Sequence, residues 1–290
     1  MINGPKIAFV GGGSYNWAPR IISDMLQTPE LDNSEIWLLD INPAAAEEVK
    51  AAAEQMCKTL NRNFKFIATD DEDSAFKGAD FVIITISTGD LEMMRHDLKI
   101  PEKYGIFHTV GDSCGPGGWS RALRNVPVFL HLARKIELLS PHALVLNYTN
   151  PMAALTGTFY EVSSLRTVGL CHGLFAVYRM LQKIYSVEEQ DISLEFGGVN
   201  HFFWVTDFTI KGQSRFSELL EAAKSKSLTA MVHEKDVDEA GFANHYLDLC
   251  NELFINYSFL PYPGERHTCE SLGGQILEES ERAPWKSKRT

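Results

Sequence analysis

Few side chains in this sequence combine reactivity with a placement that suggests shared chemistry. Cys171 and His201 are the first pair. A thiolate and an imidazole can begin a divalent-metal site, with substrate oxygens filling the remaining positions. A buried thiol packed as a small hydrophobe, beside a histidine satisfied in the core, is the competing reading of the same spacing. Asn150, within Asn147-Tyr148-Thr149-Asn150-Pro151, offers both a donor and an acceptor to sugar hydroxyls. At the N-terminal end, Gly11-Gly12-Gly13-Ser14 and Asp40 suit a dinucleotide. Gly11, Gly13 and Ser14 would bring backbone N–H groups to a pyrophosphate at a helix N-terminus, and Asp40 would accept from two ribose hydroxyls. That acid disfavours the 2′-phosphate of NADP, so the cofactor expected is NAD. Asn16 stands where the usual fingerprint has its third glycine.

These residues need strand ends to hold them. Lys6–Val10, Glu35–Asp40, Phe64–Ala68, Phe81–Thr85, Ala143–Asn147 and Thr167–Leu170 are short β-rich runs. Helical stretches such as Ala18–Leu26 and Ala44–Leu60 separate them. Alternation of this kind predicts parallel strands with right-handed crossovers. The fold class expected is α/β: a Rossmann-type doubly wound parallel sheet, in which ligands bind beyond the carboxyl ends of the strands. Two glycine-bearing segments fall there: Gly111-Asp112-Ser113-Cys114-Gly115-Pro116-Gly117-Gly118, whose glycines suit a backbone passing close to cofactor and substrate, and Cys171-His172-Gly173. After Leu170 the pattern changes. Leu194–Val205 is aromatic and β-rich, and Arg215–Ala230 and Phe242–Phe254 read as helices. The domains expected are an NAD-binding Rossmann domain over 1–172 and a second, mixed α+β substrate and metal domain over 173–290.

Composition narrows the partners. The 290 residues are 44% hydrophobic and 22% charged, a globular balance. A net charge of -11 argues against nucleic acid and membrane surfaces, both polyanionic. No apolar run approaches the ~20 residues of a membrane helix. Five cysteines at wide spacing, in a chain opening without a leader-like segment, predict reduced thiols and a cytoplasmic location.

Five segments in order carry a family resemblance: Gly11-Gly12-Gly13-Ser14; Lys103-Tyr104-Gly105-Ile106; Val110-Gly111-Asp112 with Gly115-Pro116-Gly117-Gly118; Asn147-Tyr148-Thr149-Asn150-Pro151; and Cys171-His172-Gly173. Together, from residue 7 to about residue 270, they resemble glycoside hydrolase family 4, on the fold shared with lactate and malate dehydrogenases. The resemblance implies glycoside cleavage outside the usual two-carboxylate scheme. NAD⁺ takes hydride from C3 of the sugar, a tyrosine removes the C2 proton, a divalent metal (commonly manganese) stabilises the enolate, and the glycosidic oxygen is eliminated. Water then adds and the hydride returns.

The same resemblance places the metal on Cys171 and His201, substrate on Asn150, and catalytic roles on Tyr257 and His172. Tyr257 lies in Asn256-Tyr257-Ser258-Phe259-Leu260-Pro261, which resembles the base-bearing segment; Tyr246 and Tyr262 are near enough to compete. Cys171-His172-Gly173-Leu174 lacks the proline that follows in members acting on 6-phosphosugars, and so resembles the branch acting on unphosphorylated α-glycosides. Gly264-Glu265-Arg266-His267 resembles uronide-type members, which implies that Arg266 and His267 bind substrate, Arg266 gripping a carboxylate bidentately. A surface ion pair is the alternative for those two. The function expected is hydrolysis of α-galacturonides or α-glucuronides. Alternatives are an α-glucosidase or α-galactosidase of the same family, an NAD-dependent hydroxy-acid dehydrogenase, and an inactive NAD-binding remnant. Family members are longer, so the second domain is expected to be incomplete, and a homo-oligomer is implied.

Overall fold

The computed structural model describes residues 4–233 and 247–272. In chain order the elements are β1 (Lys6–Val10), α1 (Ala18–Leu26), β2 (Glu35–Leu39), α2 (Pro43–Thr59), β3 (Lys65–Thr69), α3 (Glu72–Phe76), β4 (Phe81–Ile84), α4 (Leu91–Glu102), α5 (Gly115–Leu139), β5 (Leu144–Asn147), α6 (Met152–Val162), β6 (Arg166–Gly169), α7 (Gly173–Tyr185), β7 (Ile192–Val199), β8 (Phe202–Ile210), β9 (Gln213–Ser214), α8 (Phe216–Ser225), α9 (Leu228–His233), α10 (Asp248–Tyr257), β10 (Leu260–Pro261) and α11 (Glu265–Leu272). They form two compact units, Met1–Met93 with Ser120–Leu170 and Met94–Trp119 with Cys171–Thr290.

The first unit holds a six-stranded sheet in the order β3-β2-β1-β4-β5-β6. Every pairing is parallel. This is the doubly wound order, with its switch point beside β1. β1 is apolar from Ile7 to Val10, and all four residues are buried, as expected of a strand covered on both faces. Ile7 and Phe9 join one buried cluster with Ile22, Leu26, Ile36 and Leu38. Ala8 and Val10 join the other with Phe129, Ile136 and Phe159. The six expected strands are all present, each within about a residue or two of its expected bounds.

The second unit is built on an antiparallel sheet, β10-β8-β7 with β9 on β8. Val199 pairs with Phe202, so Asn200 and His201 alone form the connecting turn. A register shift between Glu195 and Phe196 marks a bulge. It changes the parity of β8, so that Phe203 and Val205 before it, and Phe208 and Ile210 after it, all face one core with Val177, Leu181, Leu219 and Phe254.

Gly115, Gly117 and Gly118 lie in the first turn of α5. Their small size serves packing: a Cβ on Gly117 would come within 2.8 Å of the Gly111 carbonyl oxygen, and one on Gly118 within 2.6 Å of the Ser113 backbone. The helix expected over Arg215–Ala230 is two helices, α8 and α9, separated at Lys226 and Ser227. The helix expected over Phe242–Phe254 starts, within the described residues, at Asp248 and runs on to Tyr257.

Candidate active site

In the first unit Gly11-Gly12-Gly13-Ser14 turns the chain from β1 towards α1. Gly11 has φ +87°, and a Cβ there would lie 2.1 Å from the Thr85 carbonyl oxygen, so no other residue fits without displacing the backbone just after β4. The turn's amides are already engaged. Gly11 and Gly12 both donate to the Leu39 carbonyl at 2.9 and 3.0 Å, and Ser14 donates to the Gly11 carbonyl at 3.0 Å. Gly13 donates to Asp40 Oδ2 at 2.9 Å, and Asn42 donates to Asp40 Oδ1 at 2.9 Å. Asp40 therefore braces the turn. A carboxylate has about four lone-pair sites, so acceptor capacity remains for a ribose. A Cβ on Gly13 would meet Asp40 Oδ2 at 2.9 Å, and its absence leaves that carboxylate edge uncovered. The turn thus fits a dinucleotide, with Asp40 as acceptor. Asn150, also in this unit, accepts at Oδ1 from the Met152 amide at 3.3 Å, and its carbonyl accepts from Arg121 Nε at 3.1 Å.

The second unit assembles a cluster. Cys171 and His172 immediately precede α7, and His172 is its N-cap residue. His201 occupies the second turn position between β7 and β8 with φ +65°, a left-handed conformation that histidine tolerates better than most residues. Only 6% exposed, its ring has Nε2 3.3 Å from Cys171 Sγ and Nδ1 2.8 Å from Ser113 Oγ. Burial, aided by His267, pushes His201 down to about 4, so the ring is neutral and able to ligate at neutral pH. Burial pushes the Cys171 thiol up, against a smaller opposing effect of the Gly173 amide. A Sγ–Nε2 separation of 3.3 Å lets one cation reach both atoms at bond lengths of about 2.0–2.3 Å. The donor set therefore fits a borderline divalent cation.

His267, from α11, stacks on His201 with ring centroids 3.8 Å apart. Asp112, His201 and His267 present ligand atoms all within 4.8 Å of one another. Behind them Glu270 is 9% exposed and accepts at Oε1 from the Val110 amide and, at 2.7 Å, from the Gly111 amide. Burial alone would raise the Glu270 pKa; His267 and the two amides outweigh it and hold the carboxyl below its ordinary value. His172 is pushed down by burial, with Arg179 and His267 adding to the effect.

The expected site residues therefore fall in different places. Gly11, Gly13, Ser14 and Asp40 lie together, as do Cys171, His172, His201 and His267. Arg266 Nη2 reaches the Thr109 carbonyl at 3.5 Å. Tyr257 is 62% exposed, and its ring meets Trp204 edge-on at 6.1 Å. Tyr262 packs instead on Phe203 at 5.1 Å and stacks with His201 at 6.1 Å. Successive residues of a strand face opposite ways, so Tyr257 and Tyr262 sit on opposite faces of β8. Burial pushes the Tyr262 hydroxyl up to about 12. Tyr246 lies outside the described residues. Sequence reasoning did not single out Ser113, Asp112 or Glu270. Glu270 had a legible signal, since it lies one helical turn beyond His267 and must share its face.

Fold and site define an α/β protein of the dinucleotide-binding type, with a thiol–imidazole cluster in its second unit. The family model for family 4 glycosyl hydrolases matches residues 6–187, and the chain belongs to that family. It is 34% identical over 298 residues to the α-galacturonidase of Thermoanaerobacter italicus, covering 98% of this chain and 64% of that protein. A solved Bacillus subtilis structure described as a glucosidase superposes with TM-score 0.78 at 29% identity, over 92% of this chain and 62% of the other. A Thermotoga maritima 6-phospho-β-glucosidase, solved with manganese, NAD⁺ and glucose-6-phosphate, shares the fold at TM-score 0.75 and 21% identity, over 97% and 64% of the two chains. The chain thus spans less than two thirds of the length of each.

Proposed function

We propose that this protein hydrolyses unphosphorylated α-glycosides, α-uronides foremost and α-galacturonides first among them, with NAD⁺ and a divalent cation, manganese foremost. The observation that carries the proposal is the Cys171–His201 pair, at 3.3 Å, in a family 4 chain. The α-galacturonidase relative supports the uronide, and the Thermotoga maritima complex supports the cofactor and metal. When bound, NAD⁺ supplies a hydride acceptor for C3 of the sugar, and the cation supplies a Lewis acid for the charge that develops beside it.

The chain's own groups do the rest. Asp40 accepts from the ribose hydroxyls while bracing the turn. The amides of Gly11, Gly12 and Ser14 are engaged within that turn, and the following amides of Tyr15 and Asn16, at the entrance to α1, would hold the pyrophosphate. Cys171 and His201 hold the cation. Asn150 binds sugar hydroxyls, and the Arg266 guanidinium, which has five N–H donors, receives the uronide carboxylate. The C2 proton is assigned to Tyr257, through its segment's resemblance and its solvent access, with His172 as a second proton-handling group. Tyr262, stacked with His201 at the cluster, is the competing candidate.

Aryl α-galacturonide, α-glucuronide, α-galactoside, α-glucoside and 6-phospho-α-glucoside, each with NAD⁺, manganese and a thiol reductant, test this reading. Release from a uronide that requires both NAD⁺ and manganese is expected. Preference for a neutral or phosphorylated sugar would overturn the substrate assignment. Stoichiometric NADH would replace the hydrolase with a dehydrogenase, and cofactor binding without turnover would leave an inactive remnant.

A further inference from the structure

We propose that Ser113 and Asp112 form a hydrogen-bond relay that holds His201 as its Nδ1–H tautomer, leaving the Nε2 lone pair facing Cys171. The relay is a chain of two contacts: Ser113 Oγ donates to Asp112 Oδ1 at 2.8 Å, and Ser113 Oγ lies 2.8 Å from His201 Nδ1. A carboxylate only accepts, so the serine proton belongs to Asp112. The serine oxygen is then the acceptor for the histidine, and the one N–H of a neutral imidazole must sit on Nδ1. Nε2, 3.3 Å from Cys171 Sγ, is left with its lone pair. Ligating histidines commonly have their second nitrogen fixed in this way, which sets both tautomer and ring orientation.

The relay is anchored at both ends. Glu270 binds the amides of Val110 and Gly111 just before it. Just after it, Gly118 allows the first turn of α5 to approach Ser113, whose carbonyl carbon would lie 2.6 Å from a Cβ at that position. A further constraint comes from His267, stacked on the His201 ring at 3.8 Å, which limits rotation out of the relay's plane. Ser113 and Asp112 act here as positioning residues, through His201.

The inference rests on Cys171 and His201 being cation ligands, and the test separates the two claims. Metal-free protein labelled with ¹⁵N-histidine reports the tautomer directly, with the His201 signals assigned by their loss in His201→Gln. Manganese titration of the same samples reports affinity. The expected result is a protonated Nδ1 and an unprotonated Nε2 in the parent protein. In Ser113→Ala the preference is lost and manganese binds about tenfold or more weakly, within the range for such outer groups. Ser113→Thr, which keeps the hydroxyl, restores both, and this shows that folding is not the cause. A parent His201 protonated at Nε2 overturns the relay, as does a Ser113→Ala protein with unchanged tautomer and affinity. A parent with the expected tautomer but no manganese binding supports the relay and overturns the cation reading instead.

Discussion

The imidazole of His267 lies over that of His201, with centroids 3.8 Å apart and planes inclined by 21°. Both rings turn Nδ1 towards the same oxygen, Asp112 Oδ1, at 4.0 Å from His267 and 3.9 Å from His201. The structure thus puts a residue expected to bind substrate beside the proposed cation ligand His201. Replacing His267 by Ala removes one face of support from His201 and a ligand atom within 4.8 Å of those of His201 and Asp112. Manganese should then bind about tenfold more weakly, roughly 1.4 kcal/mol, with NAD affinity unchanged, as read by calorimetric titration. Unchanged manganese affinity would return His267 to a substrate role alone.

Cys171 and His201 themselves should be far less replaceable. Cys171→Ser exchanges a soft thiol for a poorly ionised hydroxyl, and His201→Ala removes the imidazole nitrogen that faces that thiol. Each variant should lose manganese binding in equilibrium dialysis while retaining NAD. A chelator should abolish turnover of the parent protein and added manganese should restore it. Retention of the ion by both variants would place the metal elsewhere.

Asp40 braces the turn and is the proposed ribose acceptor, and the two roles can be told apart. It accepts from the Gly13 and Asn42 amides, so Asp40→Ala leaves those donors without their acceptor. Without cofactor, Asp40→Ala should be destabilised by about 1–3 kcal/mol, seen as a lower melting temperature. It should also bind NAD more weakly and lose discrimination against NADP. A variant as stable as the parent would contradict the bracing role, and one with parental NAD affinity would contradict the ribose role.

Acid stability should carry a contribution from Glu72. Partial burial would raise its pKa, but His131 Nε2 at 2.8 Å and Lys135 Nζ at 3.0 Å outweigh that and lower it. A lowered folded-state pKa stabilises the fold above the unfolded-state value, about 4.3, and that stabilisation is lost as pH falls through the folded-state value. Much of the side chain is exposed, so the effect should stay below about 1 kcal/mol. Glu72→Gln should be less stable than the parent at pH 7, and the difference should vanish at low pH in denaturant titrations. A constant difference across pH would show that packing, not charge, is involved.

The sheet was legible because its signal is local. Ile7–Val10 is a continuous apolar run closed by Gly11, and Ile36–Leu39 is one closed by Asp40. The second unit was less so. The Leu194–Val205 run does not announce a two-residue turn at Asn200-His201, because no glycine occupies the turn's left-handed position; a histidine does. The site divides similarly. Asp40 and the glycines are adjacent in sequence to the elements that place them. Ser113, Asp112, His201 and Glu270 meet only through tertiary packing, and nothing in their spacing reports a 2.8 Å contact between residues 113 and 201. Tyr257 shows the converse. Its segment carries a resemblance, while the alternation of β8 puts it on the face opposite Tyr262. Tyr257→Phe and Tyr262→Phe should therefore be compared directly: the former should lose most turnover while keeping NAD and manganese, and full activity there with loss in Tyr262→Phe would move the base to the buried tyrosine.

Turnover of an aryl α-galacturonide in D₂O, with NAD⁺ and manganese present, tests the central claim most directly. If C3 is transiently oxidised and the C2 proton is exchanged, the released sugar should carry deuterium at C2, and no net NADH should accumulate. Sugar released with hydrogen retained at C2, or NADH formed in step with product, would contradict it.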